Sequence, residues 1–307
     1  MMKLKNLVLA IALSSVSAVS AIAGPVTIND MNNVGNVDLG FSERTRDLYS
    51  EGYDTVTSRI RYTGIGPRGN GIYGRSINAR AGAFVAEAQA VPGDPFDPST
   101  LYRNPDEVIL YCLDIFNDLD YRNGFVQYAV YEFDDSPNPT TTTTLIEPST
   151  RRGREIPGLY ANGDLNQVLD FLGAVNTVLD GTDFVFRDDV AGSDRNWLNP
   201  AYGWVSGAIQ VGIWESLYDT GTDVDSGIFS VTGLSRDGTD LLESAFAQMP
   251  TTESLSRDQV LLFQPVSGGQ TLIGDPDTTL TPVSLPGTAW LLLSGLVGLV
   301  GVARIRS

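Results

Sequence analysis

The spacing of apolar residues changes between residues 164 and 219, and that change constrains the fold more than any other feature of the chain. In "DLNQVLDFLGAVNTVLDG", Leu165, Val168, Leu169, Leu172, Val175 and Leu179 fall on one helical face. Asp164 can cap the start of this helix and Gly181 its end. A second helix is expected from about Pro200 to Tyr218, with Pro200 in its first turn. On either side the chain reads as strand and turn. "EVILYCLDIF", rich in β-branched and aromatic residues, is the clearest strand. "AGAFVAEAQAV" precedes it, and "GFVQYAVYEF" after it suits strand or helix. "GIFSVTG", "DQVLLFQPV" and "GGQTLIGD" return to strand-and-turn character. Residues 24–75 suggest a few short strands, and "DSPNPTTTTTLIEPSTRRGREIP" reads as a solvated loop. The order strands, helices, strands implies an α+β class. We expect a β-rich sandwich or barrel-like domain over 24–282, with a helical insertion at about 155–220.

The ends differ from this middle. Lys3 and Lys5 precede the apolar "LVLAIAL", and "SAIAG" offers the small residues of a cleavage site after Ala23, so 1–23 reads as an export signal. At the other end Ala289 to Ala303 is apolar and Arg304 and Arg306 follow. That stretch is shorter than the roughly 20 residues of a usual membrane span, and its basic end would stay cytoplasmic. "VSLPGTAWLLLSGLVGLVGVARIRS" resembles the bacterial PEP-CTERM sorting signal at Pro286, Trp290, Ser294, Gly295, Leu296, Gly298, Leu299 and the terminal arginines. The Pro-Glu-Pro of the family name is absent, and Ser284 stands where proline is usual. The resemblance implies export across the inner membrane of a Gram-negative, polysaccharide-producing bacterium, with transient residence in that membrane. It also implies recognition of 283–307 by an exosortase-type sorting enzyme and delivery to the cell surface or extracellular matrix. A plain tail anchor is the alternative for the same segment.

Composition removes several functions. The formal charge is −17, which opposes a nucleic-acid partner, because phosphate binding needs a basic surface. There is no histidine, so the Ser-His-Asp triad, Cys-His pairs and the commonest metal ligand are missing. Carboxylate-based hydrolysis stays open. Asp223, Asp225 and Gly227 resemble part of a calcium loop, as do Asp118, Asp120 and Gly124, and Asp275 with Asp277, but none completes the pattern. No metal and no cofactor is expected. Cys112 is the one cysteine, so an internal disulfide is impossible.

Two residues remain conspicuous. In a strand, Val108, Leu110, Cys112 and Asp114 share a face, which puts a lone thiol in an apolar setting. In "SGAIQVGIWESLYD" read as a helix, Gln210 lies on the stripe of Ile213, Trp214 and Leu217. An amide aimed at the core must find hydrogen bonds or lose roughly 1–3 kcal/mol. Together "YCLD" (Tyr111, Cys112, Leu113, Asp114) and "QVGIW" (Gln210, Ile213, Trp214) resemble the motifs of Cys-Gln thioester domains in bacterial surface adhesins. Ile209 replaces the family's usual threonine and Gly212 its usual alanine. The resemblance implies a β-barrel-like fold with a helical insertion and a Cys112–Gln210 crosslink. In chemical terms, a thiolate attacks the Gln210 carbonyl, ammonia leaves, and a thioester remains, shielded by neighbours such as Tyr111 and Trp214. Enforced proximity and donors aimed at the oxyanion would have to drive it. Asp114 would orient the thiol or serve as a structural acceptor. An amine- or hydroxyl-bearing surface or matrix polymer would then be acylated once, which makes the chain a covalent binder and not an enzyme. The alternative is a structural or carbohydrate-binding matrix protein whose Cys112 is inert, since buried cysteines usually act as small hydrophobes.

Overall fold

The structure, a computed structural model, describes residues 31–42, 49–66, 69–102, 104–113, 115, 119, 124–133, 165–185, 193–219, 221–227, 229–267 and 269–274. Only strand backbone is described at 60–66 and 69–75, and at two short pairs, 27–28 with 143–144 and 150–151 with 154–155. The export signal over 1–23, the caps and loops read at Asp114, Asp118, Asp120, Asp164, Asp275 and Asp277, and the whole tail lie outside the described residues. So do its Pro286, Trp290, Ser294, Gly295, Arg304 and Arg306. Among the described residues no helix is long and apolar enough to cross a membrane.

Nine strands build two sheets. They are β1 (Met31–Phe41), β2 (Asp54–Gly66), β3 (Gly69–Ala81), β4 (Phe84–Ala90), β5 (Val108–Cys112), β6 (Phe125–Phe133), β7 (Phe229–Thr232), β8 (Leu261–Pro265) and β9 (Leu272–Gly274). Six of them close a barrel in the order β8–β9–β5–β4–β1–β6, with every neighbour antiparallel. The other three form a separate sheet, β7–β2–β3. Alternation explains the barrel wall: in β6 Val126, Tyr128 and Val130 are buried and their neighbours are not. In β5, by contrast, Leu110, Tyr111 and Cys112 are all buried, so neither face of this strand meets solvent there.

Three helices pack against one another beside the strands. The first, α1 (Leu165–Leu179), buries the six stripe residues read from its spacing. It ends at Gly181, whose φ of +71° lies in the left-handed region that glycine tolerates. The second, α2 (Gly203–Tyr218), starts later than the sequence suggested. Pro200 bridges Val185 instead, and the Ala201 N–H donates to the Phe184 carbonyl at 2.7 Å. Every residue of α2 from Val205 to Tyr218 is buried, so it is a central helix and not a one-faced one. At Gly212 an added Cβ would lie 1.9 Å from the Phe171 ring, so α1 and α2 touch there because that residue has no side chain.

The sequence reading needs further correction. A third helix, α3 (Arg236–Gln248), stands where only strand and turn were expected. Ser235 caps it by accepting from the Gly238 N–H, and Leu241, Leu242, Ala245 and Phe246 bury its inner face. The helical layer therefore runs beyond the expected 155–220 limit, with β7 between α2 and α3. The few short strands expected before residue 75 include two of the longest, β2 and β3. "GFVQYAVYEF" is strand, and the sandwich alternative gives way to a barrel with a side sheet.

Candidate functional site

The site grows out of one unfinished seam. Strand β4 pairs with β5 only as far as Phe84 opposite Leu110. The Leu113 N–H donates to the Thr271 carbonyl on the β9 side at 2.9 Å. Backbone groups of successive strand residues point to opposite edges, so the N–H and C=O of Cys112 face the edge that β4 has vacated. Helix α2 fills the gap. Gln210 Oε1 accepts from the Cys112 N–H at 2.8 Å, and Gln210 Nε2 donates to the Cys112 carbonyl at 2.7 Å. The side-chain amide thus does what the next residue of a strand would do. Unpaired, each of those backbone groups would cost roughly 1–3 kcal/mol in a buried site. Cys112 and Gln210 are each 1% exposed.

Other residues of α2 serve the same seam. One turn before Gln210, Ser206 Oγ accepts from the Ala83 N–H at 2.6 Å, just ahead of β4. At the helix end the Tyr218 hydroxyl donates to the Leu113 carbonyl at 3.2 Å and accepts from the Ile115 N–H at 3.4 Å. Ser206 and Tyr218 were missed from the sequence, although Ser206 lies at i−4 from Gln210 and shares its stripe.

Tyr111 faces away from the Cys112 side chain, as strand alternation requires. Its ring stacks on Trp197 with centroids 5.7 Å apart, and its hydroxyl donates to the Trp197 carbonyl at 3.0 Å. Burial pushes the phenol above its ordinary range. Trp197, in the 3₁₀ turn Ser193–Leu198, was also missed. Ile213 and Trp214 are buried on α2 as expected, and Trp214 Nε1 has no hydrogen-bond partner. Asp114 is not among the described residues.

The arrangement has specific chemical capacity. The Cys112 N–H already touches the oxygen on which charge would develop if sulfur attacked the amide carbon. The amide is held against the backbone of the residue that carries the thiol. Glu215, further along α2, is fully buried and neither of its oxygens has a hydrogen-bond partner. Burial first, then the charges of Asp219 and Asp223, push its carboxyl up to about 9. It is neutral at pH 7. The one acidic residue of α2 was the sequence signal for it.

The acidic turn read as a partial calcium loop bonds to itself. Asp223 Oδ1 accepts from the Asp225 N–H at 3.1 Å, and its Oδ2 accepts from the Ser226 hydroxyl at 2.8 Å. Among the described residues no group of three or more Asp, Glu or Cys side chains is placed to hold a metal ion.

No family model matches the chain, and no curated protein matches it. Among solved structures, the pilus-presented adhesin Spy0125 (Cpa) overlaps 81% of this chain and 67% of its own, at 12% identity and a TM-score of 0.32. An overlap that loose carries no argument about this chain.

Proposed function

We propose that the chain is an exported surface or matrix protein that carries an internal Cys112–Gln210 thioester and spends it once on a nucleophile. The observation that supports this reading is the two-point pairing of the Gln210 amide with the Cys112 backbone, across 98 positions of sequence. The Cys112 sulfur adds to the Gln210 amide carbon, the carbon–nitrogen bond breaks, and the thiol proton leaves with the nitrogen as ammonia. An amine or hydroxyl on a surface or matrix polymer then adds to the thioester carbonyl. The carbon–sulfur bond breaks, the thiol is restored, and the target stays attached through position 210. Export, sorting by an exosortase-type enzyme and a Gram-negative origin belong to the same proposal and rest on the terminal motifs.

Intact mass tests the bond. The wild-type protein should be lighter than its mature sequence by one ammonia, and Cys112→Ala and Gln210→Ala should each lack that deficit. Methylamine should add at position 210 and release one thiol to a maleimide. Full sequence mass in freshly purified wild type, with the thiol free beforehand, would refute the reading. Prior hydrolysis is told apart because its product has the mass of the Gln210→Glu protein.

One observation favours a second reading. Both polar atoms of the amide are satisfied as they stand, which is also how a purely structural staple behaves. On that reading the protein is a non-enzymatic matrix component with an inert cysteine, and the mass measurement returns no deficit.

A further inference from the structure

We propose that Tyr218 is a positioning residue that holds the thiol-bearing end of β5 in place for attack on Gln210, an inference that rests on the thioester reading. Cys112 is the last residue of β5, and the end of a paired segment opens more readily than its middle. On one edge β9 still pairs with it, Leu272 opposite Cys112. On the other edge β4 has already ended. The chain that leaves the thiol therefore needs a hold from α2.

The Tyr218 hydroxyl supplies it. It donates to the Leu113 carbonyl at 3.2 Å and accepts from the Ile115 N–H at 3.4 Å. One hydroxyl can do both, because it has one proton to give and lone pairs to receive. Leu113, Ile115 and Tyr218 are all buried, so a broken link has no ready substitute in bulk water.

Tyr218 is itself anchored from the side sheet. Its ring packs against Phe229 of β7, with centroids 6.2 Å apart. The next residue, Asp219, accepts from the Phe229 N–H through Oδ2 at 3.2 Å. Strand β7 is paired with β2 in turn. The side sheet thus fixes the end of α2, and the end of α2 fixes the chain beyond Cys112.

The spacing of the ties gives them their effect. Gln210 and Tyr218 are eight residues apart on α2, about 12 Å along its axis. The backbone groups they hold lie within residues 112–115. The helix is therefore pinned both at the thiol residue and past it. A slide of α2, or a fray of the chain after Cys112, must break the Tyr218 bonds. A misplacement of about 1 Å can cost on the order of 100-fold in the rate of a reaction that depends on proximity. Tyr218 acts on that geometry through the residues that follow Cys112.

The test times ammonia loss by intact mass after a pulse of cell-free synthesis of the full chain. Tyr218→Phe keeps the ring against Phe229 and removes only the hydroxyl. Val130→Ala, a buried substitution in β6, across the barrel from β5, controls for lost stability. We expect Tyr218→Phe to slow ammonia loss roughly 10- to 100-fold per folded molecule, and Val130→Ala to lower the melting temperature without slowing it. Hydrogen exchange in Cys112→Ala, which cannot react, carries the test if Tyr218→Phe does not fold. There the Ile115 amide should exchange roughly 100-fold or more slower than an unstructured amide. Ammonia loss at the wild-type rate in Tyr218→Phe, equal slowing in Val130→Ala, or an unprotected Ile115 amide overturns the role of Tyr218 while the thioester reading survives. A wild type that never loses ammonia overturns the thioester reading and this inference with it.

Discussion

Replacing Glu215 with glutamine should flatten a large part of the protein's loss of stability with rising pH. Glu215 is fully buried in α2 and neither oxygen has a hydrogen-bond partner. Burial, then Asp219 and Asp223, raise its folded pKa to about 9. In the unfolded chain a glutamate titrates near 4.3. Between those values the folded protein holds a proton that the unfolded chain has released. The stabilising contribution is therefore complete below the unfolded pKa and is lost as pH rises toward the folded one. The slope is about −1.4 kcal/mol per pH unit, so roughly 3 kcal/mol disappears between pH 5 and pH 7. Glutamine has the same shape and does not titrate. Urea unfolding of wild type and Glu215→Gln at pH 5, 6, 7 and 8 isolates the effect as a difference. The variant should overtake the wild type by a margin that widens at each step. Parallel curves would refute the reasoning, because they would mean that the carboxyl is already ionised in the folded state.

Two other changes can be anticipated. Gly212→Ala drives a methyl group into the Phe171 ring, where the nearest ring carbon is 1.9 Å away. The overpacking should cost about 1–3 kcal/mol, and an unchanged urea midpoint would contradict it. Deleting residues 283–307 should release the protein from cells into the medium, read by immunoblot of the fractions; unchanged retention would show that the tail does not direct sorting.

The helical layer was partly legible because it obeys local rules. The six apolar positions of α1 repeat at helical spacing, and all six are buried. The α3 segment was passed over although Ser235 is a good cap, because "TGLSRDG" and the exposed residues of that helix look like turn chemistry. The full burial of α2 was not legible either. Its serines, glycines, glutamine and glutamate interrupt the pattern, and only the layers packed on all its sides bury them. Barrel closure depends on β8 meeting β6 and β9 meeting β5, contacts across more than 100 positions that leave no periodic trace. The Cys112–Gln210 meeting was suggested by residue type, yet its form was unexpected. The sequence posed a thiol against an amide; the structure sets the amide against the backbone of the same cysteine. That could not be read without knowing that β4 stops at Phe84 and leaves an edge to be filled.

The same two hydrogen bonds act differently on the fold and on the proposed chemistry. In the resting protein both are neutral and finish a β seam, each contributing about 1 kcal/mol net. During attack by sulfur they part ways. The bond from the Cys112 N–H runs to the oxygen that becomes negative, and a hydrogen bond to a charged acceptor is roughly twice as strong as one to a neutral acceptor. It therefore favours the tetrahedral state over the amide, which is what acceleration requires. The bond from Nε2 is made by the departing group and is lost with ammonia. Its loss leaves the Cys112 carbonyl without that donor, a cost of roughly 1–3 kcal/mol. The seam therefore resists the reaction at one atom and assists it at another. Its net direction then depends on how closely the helix holds Gln210, which is why the ties of α2 at Ser206 and Tyr218 belong to the site as much as the thiol does.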